Sequence, residues 1–304
     1  IPGNMISNSY SGSTGKVVLK VGKADTGNIP GDVMNAIGDR PVIQLSLSLD
    51  NEPIQFDNPN APVLVSIPYN PTEKELEEPW NIVVWYIDGS GNAEPVPTGR
   101  YNAKSGTVDF ITYHFSRYAV VHSHKTFEDL AGYDWAKEEI EILAARGVIK
   151  GTSATTFKPG DNLTRADFTL LLVRALGLNA RVVSNFSDVY DTDYFFEGMG
   201  IAKALGIVKG TGNNMGSPRE PITRQEMMVM AARALRLSGK LEDGSAEDLE
   251  GISDKKYIAD YAILDIASLV KSGIVPEQAD NAIRPAQQAT RAEAAKLLYR
   301  IYTR

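Results

Sequence analysis

One pattern occurs three times, in register, between residue 126 and the end of this 304-residue chain. Each copy has a Gly followed by two β-branched residues, a Pro twelve residues after the Gly, and Thr-Arg-x-acid beginning seventeen residues after it. The copies are Gly147–Asp167, Gly206–Glu226 and Gly273–Glu293. A repeat of about 60 residues indicates one supersecondary unit used three times, with each unit packing its apolar face against its neighbours.

The apolar positions within each repeat follow a helical period. A first helix is predicted over Trp135–Arg146 in the first copy, and Gly147 is expected to cap its C-terminus. A short extended loop follows, with the Pro near its end. Thr164 is then expected to cap a second helix, with Asp167 accepting a hydrogen bond from the cap's own N–H. Each repeat is therefore predicted to be a helix–loop–helix unit that is too small to fold alone.

Residues 1–122 have the period of β-strands instead. The aliphatic residues of Ile43–Leu49 alternate with Gln and Ser, as in a sheet with one buried face. One short helix is predicted at Thr72–Glu78, where Thr72 and Glu75 can form a capping box. Further strand-like runs, separated by turn-forming residues, are Lys16–Val21, Val63–Tyr69, Ile82–Ile87, Thr107–Thr112 and Tyr118–His122. We therefore expect a small antiparallel β-sandwich in this region.

Composition argues against several classes of partner and site. The net charge of −7 argues against nucleic acid as the main partner, and the absence of Cys excludes disulfides and Cys-ligated metals. No run approaches the roughly 18 consecutive apolar residues of a transmembrane helix, so we expect no membrane insertion. We also expect no cofactor. The chain has no start Met and no signal peptide and begins in a Gly/Ser/Asn-rich stretch, which is typical of a piece cut from a longer protein.

Other short motifs precede the Thr-Arg-x-acid segments in a fixed order, some of them in only one or two of the repeats. They are a Phe-x-Asp opening, a Trp-Ala helix start, a Gly-Ile-x-x-Gly turn and a Phe-x-Pro, and the matching segments are Phe127–Asp129, Phe186–Asp188, Ile252–Asp254, Trp135–Ala136, Gly147–Gly151, Gly206–Gly210 and Phe157–Pro159. This ordered set resembles S-layer homology repeats. On that resemblance the chain divides into a β-domain at 1–122 and repeats at 123–185, 186–250 and 251–304.

The resemblance implies a multidomain protein of α and β structure in which the three repeats form a pseudo-threefold helical bundle. It also implies non-covalent anchoring of a secreted surface protein to the cell wall of a Gram-positive bacterium, and so an extracellular location at the cell surface. The implied ligand is a secondary cell wall polymer of the peptidoglycan-linked wall, often a glycan with a terminal pyruvate ketal on N-acetylmannosamine. It would bind in grooves between adjacent repeats. Because one chain already holds three repeats, we expect a monomer.

The residue chemistry is consistent with binding of a carboxylated sugar. Arg165, Arg224 and Arg291 each occupy the first position of a predicted second helix. There a guanidinium fork can bind a carboxylate, and free helix N–H groups would add positive partial charge. Lys150 and Lys209 offer a second cation in two of the repeats. The alternative is structural, in that the arginines bridge neighbouring repeats.

Aromatic and acidic residues complete the predicted ligand-binding set. Trp135, Tyr194 and Tyr261 lie twelve residues before the Gly of each repeat and offer flat faces on which a sugar can stack. The alternative is that these three residues face inward and belong to the core. Asp129 and Asp188, from the Phe-x-Asp segments, are also included in the predicted set.

The third repeat departs from the other two at its turn. Pro276 and Glu277 replace the Lys and Gly found in the first and second repeats. A groove that uses this turn therefore loses a cation and gains an acid. We expect the grooves to be unequal, with one of them unable to bind.

One tripeptide in the first domain contains residue types that can act in catalysis. His114-Phe115-Ser116 lies at a strand end and resembles the self-cleavage site of autoproteolytic ZU5-type β-domains. In that reading Ser116 attacks the Phe115 carbonyl while His114 assists proton transfer. The alternatives are a fold relative without activity, or residues that only stabilise a turn.

Two other polar segments of the first domain are predicted to be structural. His122-x-His124 has no carboxylate at a recognisable metal spacing, so no metal site is predicted there. Asp88–Asn92 has oxygen side chains at alternate positions, but it lies between two strands and is predicted to be a hairpin turn rather than a calcium loop.

The predicted function is wall anchoring by the repeats, which bind carbohydrate, with the β-domain as a spacer. The main activity of the parent protein, for example glycan degradation, is expected N-terminal to Ile1. Two hypotheses compete with this one. The first is a self-processing domain that cleaves between Phe115 and Ser116, and the second is a structural subunit of an S-layer lattice.

Overall fold

A computed structural model describes residues 15–275 and 280–304, and these form two compact units. The first unit contains the residues up to 125 together with 144–148, and the second contains 126–143 and 149–304. No helix among the residues described combines the length and the apolar character that crossing a membrane requires.

The first unit is built mainly of short strands. They are β1 (Val17–Lys23), β2 (Val42–Leu49), β3 (Glu52–Ile54), β4 (Val63–Pro68), β5 (Ile82–Ile87), β6 (Ala93–Pro95), β7 (Arg100–Asn102), β8 (Thr107–Thr112) and β9 (Arg117–His122). One antiparallel sheet has the order β1-β2-β9-β5-β6, with β3 paired to β2, and a second has the order β4-β8-β7. All six predicted strands are present, and the three that were not predicted are only three residues long.

Both sheets contribute side chains to one buried cluster. Leu45 of β2 and Tyr118 of β9 belong to it together with Val108 and Phe110 of β8. The rings of Phe110 and Tyr118 lie 4.7 Å apart. The alternation in β2 predicted one buried face, and Leu45 and Leu47 on that face are buried.

Two short helices lie in the first unit, α1 (Gly31–Ile37) and α2 (Glu73–Glu77). The capping box predicted for α2 is confirmed, since the Thr72 side chain accepts from the Glu75 N–H and the Glu75 carboxylate accepts from the Thr72 N–H. Helix α1 was not predicted. The signals for it were Pro30 immediately before the helix and Gly38 after it, where φ is +60°.

The second unit has two α-helices in each repeat. They are α3 (Asp134–Ala145), α4 (Arg165–Leu176), α5 (Phe196–Ala204), α6 (Arg224–Leu237), α7 (Ile263–Lys271) and α8 (Arg291–Tyr302). The first helix of each repeat ends just before the repeated Gly. Gly147, Gly206 and Gly273 have φ values of 69°, 70° and 66°, a left-handed conformation that favours Gly, so the predicted C-terminal caps are confirmed.

The second helix of each repeat begins at the predicted Thr. Thr223 with Glu226 and Thr290 with Glu293 form complete capping boxes. The prediction is wrong in one respect for the first repeat. There the Thr164 side chain accepts from the Asp167 N–H, but the Asp167 carboxylate accepts from the Thr164 hydroxyl at 2.7 Å. Asp is one methylene shorter than Glu, and the bond to the cap's own N–H is missing.

Backbone hydrogen bonds join the three repeats in a closed cycle. The residues involved are those immediately before the cap threonines. Leu163 N–H donates to the Ala289 carbonyl at 3.0 Å, Ala289 N–H donates to the Ile222 carbonyl at 2.8 Å, and Ile222 N–H donates to the Leu163 carbonyl at 2.9 Å. Each repeat therefore contacts both of the others through its main chain.

Candidate functional site

The Asp of each Phe-x-Asp segment holds the loop between the two helices of its own repeat. Each carboxylate accepts from two consecutive backbone N–H groups of that loop. Asp129 accepts from Phe157 and Lys158 at 2.8 and 2.7 Å, and the corresponding distances are 2.7 and 2.8 Å at Asp188, and 2.9 and 2.7 Å at Asp254. These bonds give Asp129 and Asp188 a role in loop geometry, and ligand contact by either residue stays a prediction.

Each loop held in this way presents a carbonyl oxygen to an Arg of another repeat. Arg165 Nε donates to the Gly216 carbonyl at 3.2 Å, Arg224 Nε to that of Ile283 at 2.6 Å, and Arg291 Nε to that of Phe157 at 2.8 Å. The three arginines therefore bridge neighbouring repeats, as the structural alternative predicted. This bridging leaves their role in ligand binding as a prediction.

The helix N-termini do not offer the free N–H groups that were expected. The N–H of Arg165 donates to the Glu220 carbonyl and that of Ala166 to the Pro218 carbonyl, both in the next repeat. The third N–H, of Asp167, donates to the Thr164 hydroxyl. The same contacts recur at Arg224 and Arg291. The expectation that these N–H groups are free is therefore wrong, because neighbouring loops and the caps already use them.

The second contact of each Arg differs between the repeats. Arg165 Nη1 lies 2.8 Å from Glu226 Oε1, and Arg224 forms the same ion pair with Glu293. Among the described residues, no ion pair joins Arg291 to Asp167, which occupies the equivalent position. Arg291 Nη2 instead donates to the Lys150 carbonyl at 2.8 Å.

Arg291 has a distinct environment as a result. Its guanidinium carbon lies 4.4 Å from the centre of the Phe157 ring. Burial lowers the pKa of Arg291, and the carboxylates of Asp167, Asp161 and Asp129 act in the opposite direction. The hydroxyl of Tyr194 donates to Asp167 at 2.7 Å, and partial burial together with this bond raises the pKa of Tyr194 to about 12.

The three repeated aromatic residues lie at the surface. Trp135, Tyr194 and Tyr261 are 45%, 73% and 56% exposed. The alternative that they belong to the core is therefore wrong. Lys150 and Lys209 are exposed as well. The sequence-predicted cations and aromatic faces are thus available to solvent, whereas Arg165 and Arg224 are buried.

One groove encloses a pocket of about 370 Å³. Three repeats contribute to it: Arg165 from the first, Lys209, Glu226 and Arg233 from the second, and Tyr261 from the third. We call this pocket the Arg165 groove. Burial raises the pKa of Tyr261, with Glu226 acting in the same direction. The groove combines cations, one carboxylate and an aromatic face, which are groups that bind a carboxylated sugar.

The equivalent groove at Arg224 differs in its cations. Pro276 and Glu277, on which the predicted inequality rests, lie outside the described residues. Arg224 is only 2% exposed, and among the described residues its Nη2 has no hydrogen-bond partner. Lys296 occupies the position in the third repeat that Val229, which lines the Arg165 groove, occupies in the second. The ammonium of Lys296 lies 3.0 Å from the Glu139 carboxylate. A neighbouring carboxylate therefore already pairs with this cation.

The groups of the predicted self-cleavage site have other partners. The hydroxyl of Ser116 donates to the Ile87 carbonyl at 3.1 Å, and His114 Nδ1 lies 3.3 Å from the Tyr118 hydroxyl. Burial lowers the pKa of His114, with Asp57 acting in the opposite direction. Self-cleavage between Phe115 and Ser116 stays a prediction, which an intact-mass measurement of the purified chain and of Ser116→Ala would test.

Two further polar segments can be compared with their predictions. Asp88–Asn92 connects the paired strands β5 and β6, so the predicted hairpin turn is confirmed. No carboxylate lies near His122 and His124 in the sequence, but in the fold ligand-type atoms of Glu78, His122 and His124 all lie within 4.8 Å of one another, and the absence of a metal site stays a prediction. Sequence analysis missed Glu78 because it lies 44 residues before His122 and only the fold brings the two together.

The sequence model of the S-layer homology domain family matches three segments of the chain, at residues 126–169, 185–228 and 251–295. Similar curated proteins include the Amylopullulanase of Thermoanaerobacterium thermosulfurigenes, 35% identical over 226 residues, which are 74% of this chain and 12% of that protein. The Exoglucanase XynX of Acetivibrio thermocellus is 36% identical over 183 residues, 59% of this chain and 16% of that protein. The S-layer protein sap of Bacillus anthracis is 30% identical over 184 residues, 59% of this chain and 21% of that protein.

This chain thus spans less than a quarter of each of these three relatives. The match to the Amylopullulanase covers more residues than 126–304 contain, so it extends into the first unit. The three matched segments coincide with the repeats that share the Asp-held loop, the bridging Arg and the Thr-capped helix. The second part of the chain therefore contains three S-layer homology domains, at residues 126–169, 185–228 and 251–295.

Proposed function

We propose that this chain anchors a surface protein to a bacterial cell wall without a covalent bond. The observation that carries the proposal is the presence of three S-layer homology domains in a chain whose relatives include S-layer and cell wall proteins. The repeats are the part that binds the wall, and the two-sheet unit serves as a spacer. The location is the outer surface of a Gram-positive cell.

We also infer the architecture that this function needs. The cycle of hydrogen bonds through Leu163, Ile222 and Ala289 supports a pseudo-threefold bundle of the three repeats. The buried cluster shared by both sheets supports a β-sandwich for the first unit. A chain that supplies all three repeats needs no second copy to complete the bundle, which supports a monomer.

The proposed ligand is a secondary cell wall polymer that carries a carboxylate, as in a pyruvate ketal on N-acetylmannosamine. The Arg165 groove is the best candidate for its site. Glu226 occupies one edge of the Arg165 guanidinium, and Arg233 is paired with Asp265, so Lys209 is the exposed cation that the pocket offers. The exposed face of Tyr261 is available for a sugar ring. A pocket of about 370 Å³ has the size of a small-molecule site.

Charge explains why this groove is favoured over the other two. The Arg165 and Arg224 grooves each have an Arg paired with the Glu of the next helix, Arg165 with Glu226 and Arg224 with Glu293, so the difference lies in the exposed Lys209, which has Pro276 as its counterpart. At the Arg291 groove, Lys150 is exposed but Tyr194 is hydrogen-bonded to Asp167, which fixes its ring. The proposal therefore assigns most of the affinity to the Arg165 groove.

Titration calorimetry of the full chain with a purified wall-polymer fragment, with and without its terminal pyruvate, tests this function. Lys209→Ala and Tyr261→Ala change exposed residues and should each weaken binding by about tenfold, because one charge-assisted contact or one stacking face contributes about 1.4 kcal/mol. Lys150→Ala and Tyr194→Ala are the matched controls in the Arg291 groove and should change affinity less than twofold.

Three results would contradict parts of this proposal. Absence of binding to any wall-polymer fragment by the folded chain would refute wall anchoring. Binding that does not depend on pyruvate would refute the carboxylate as the recognised group. A larger loss for Lys150→Ala than for Lys209→Ala would move the site to the Arg291 groove.

A second candidate is a subunit of an S-layer lattice, which the similarity to the S-layer protein sap favours. Against it, the Amylopullulanase and the Exoglucanase XynX are more similar to this chain, at 35% and 36% identity. We therefore propose that the anchored activity is glycan degradation. Electron microscopy of cells that express the complete protein distinguishes the two, because a lattice subunit forms an ordered sheet and an anchored enzyme does not.

A further inference from the structure

A cluster of two histidines and one carboxylate lies in the first unit, apart from the repeats and their ligand grooves. His122 is the last residue of β9 and His124 follows two positions later, so an extended chain places both side chains on the same side. Glu78 follows directly after α2. Each of the three residues offers one ligand-type atom, and these atoms all lie within 4.8 Å of one another.

His122 is oriented as a metal ligand is. One of its ring nitrogens donates a hydrogen bond to the backbone carbonyl of Glu78. Its Nε2 is buried and has no hydrogen-bond partner among the described residues, so the donating nitrogen is Nδ1. A neutral imidazole with Nδ1–H held by a carbonyl leaves a lone pair on Nε2, which is the arrangement that fixes the tautomer of metal-binding histidines. A buried nitrogen without a partner otherwise costs free energy.

His124 and Glu78 complete the set. Nε2 of His124 lies 3.5 Å from Oε2 of Glu78, and Nδ1 of His124 lies 3.2 Å from the Asn81 amide nitrogen. If the Asn81 amide is turned by half a rotation, its oxygen accepts from Nδ1–H of His124 and leaves Nε2 of that ring free for a metal. The side chains of His124 and Glu78 are 51% and 56% exposed, so both can move without disturbing the core.

The nearby carboxylate of Glu75 is not part of the cluster. It accepts from Tyr69 at 2.8 Å, from the Thr72 N–H at 2.8 Å and from Arg40 at 2.7 Å. With these donors its oxygens are already satisfied. Glu78 is therefore the carboxylate that the histidines can use.

We propose that His122 Nε2, His124 Nε2 and the Glu78 carboxylate bind one divalent transition-metal ion, with Zn²⁺ as the best match. Two imidazoles and one carboxylate are ligands that Zn²⁺ accepts, and three protein ligands leave a fourth tetrahedral position for water. Ligand atoms bound at about 2.0–2.1 Å lie roughly 3.3 Å apart, so the exposed side chains must close by about 1.5 Å.

A bound ion would act on the chain at the point where the first unit ends. It would join residues 122–124, which precede Thr126, to the segment after α2. Because the ion binds only the folded arrangement, it would also stabilise the first unit against unfolding.

The test uses the full chain with any polyhistidine tag removed, first titrated with Zn²⁺ by calorimetry. We expect one Zn²⁺ per chain, and His124→Ala and Glu78→Gln should weaken its affinity by at least about tenfold. Glu77→Gln changes the neighbouring exposed carboxylate and should leave the affinity unchanged. Addition of Co²⁺ should give the intense visible absorption of a four-coordinate site, and His122→Ala should abolish that absorption.

Three outcomes would overturn the proposal. They are no binding at 100-fold excess of Zn²⁺ over the chain, binding that survives loss of both histidines, and a Co²⁺ spectrum typical of six-coordinate water. A circular dichroism spectrum of each variant establishes that it is folded. His124→Ala carries the test if His122→Ala fails to fold, since His124 is exposed.

Discussion

Two junctions between repeats differ by a single methylene group. Where the first repeat meets the second, Arg165 pairs with Glu226, and Glu226 also closes the capping box of α6. Where the third repeat meets the first, Asp167 stands in place of Glu, and among the described residues neither the ion pair nor the capping box forms. The Arg291 side chain there donates to carbonyl oxygens and lies over the Phe157 ring, and Tyr194 donates to the Asp167 carboxylate.

The difference teaches that the last residue of Thr-Arg-x-acid has two functions. One carboxylate oxygen satisfies the helix N-terminus, while the other holds an Arg from the preceding repeat. Only Glu is long enough for both. At the junction with Asp167 the Arg291 side chain therefore donates to loop carbonyls, and among the described residues no carboxylate forms an ion pair with it.

The largest expected effect comes from breaking the ion pair of Arg224, which is more buried than Arg165. Glu293→Ala leaves the Arg224 guanidinium unpaired, and loss of one partner of a buried pair costs about 3–5 kcal/mol. Asp167→Ala removes no ion pair and should cost about 1 kcal/mol, through loss of the hydrogen bonds that the Thr164 and Tyr194 hydroxyls donate to the carboxylate. Urea unfolding of the two variants measures this contrast, and equal losses would contradict the account of the two junctions.

The loop aspartates should be equivalent in the two junctions. Asp188→Ala and Asp129→Ala each remove two hydrogen bonds from backbone N–H groups to a carboxylate, so each should lower the free energy of unfolding by about 2–3 kcal/mol. Asp191→Ala, an exposed residue of the same segment as Asp188, should have no measurable effect. A large difference between Asp188→Ala and Asp129→Ala would mean that the two junctions differ in their loops, and not only in the Glu226 or Asp167 side chain.

Asp167→Glu should make the weaker junction resemble the other two. The longer side chain can complete the capping box with Thr164 and pair with Arg291, and we expect a gain of about 1 kcal/mol in the free energy of unfolding. The reverse change, Glu226→Asp, should lose a similar or larger amount. Thermal unfolding of both variants measures the pair, and destabilisation by Asp167→Glu would refute the explanation.

The smallest effect concerns the tyrosine at this junction. Partial burial and the Asp167 carboxylate raise the pKa of Tyr194 to about 12, above its ordinary value of 10. The contact therefore contributes stability fully below pH 10 and loses it as the pH rises towards 12. A ¹³C-tyrosine NMR titration should show the Tyr194 signal moving near pH 12 in the native chain and at lower pH in Asp167→Asn. A Tyr194 signal that titrates near pH 10 in the native chain would exclude the hydrogen bond.

Local features were predictable from sequence and the partners across repeats were not. The glycine caps, the threonine caps and the strands of the first unit depend on neighbouring residues, and they formed as expected. The contacts of Arg165 lie 51 and 61 residues away, so no periodicity could reveal them. The expectation of free helix N–H groups was wrong for the same reason, since the carbonyl oxygens that use them come from another repeat.

The same argument applies to the histidines. The i, i+2 spacing of His122 and His124 is visible in the sequence. The carboxylate near them belongs to Glu78, which follows α2 and is brought close only by the fold. The repeated aromatic residues were predictable in part. Their repeated spacing identified Trp135, Tyr194 and Tyr261 as equivalent, yet only the structure decided that they face solvent.

The cycle through Leu163, Ile222 and Ala289 limits how many copies of the unit one module can hold. A linear array of repeats has two ends, and each end can accept another copy. Here the third repeat returns to the first, so each of these residues both donates to and accepts from a neighbour within the ring. The N–H groups of these three residues are all used within the cycle, so a fourth copy would find none of them free. One added repeat would therefore have no place in the cycle, whereas three added repeats could form a second complete module.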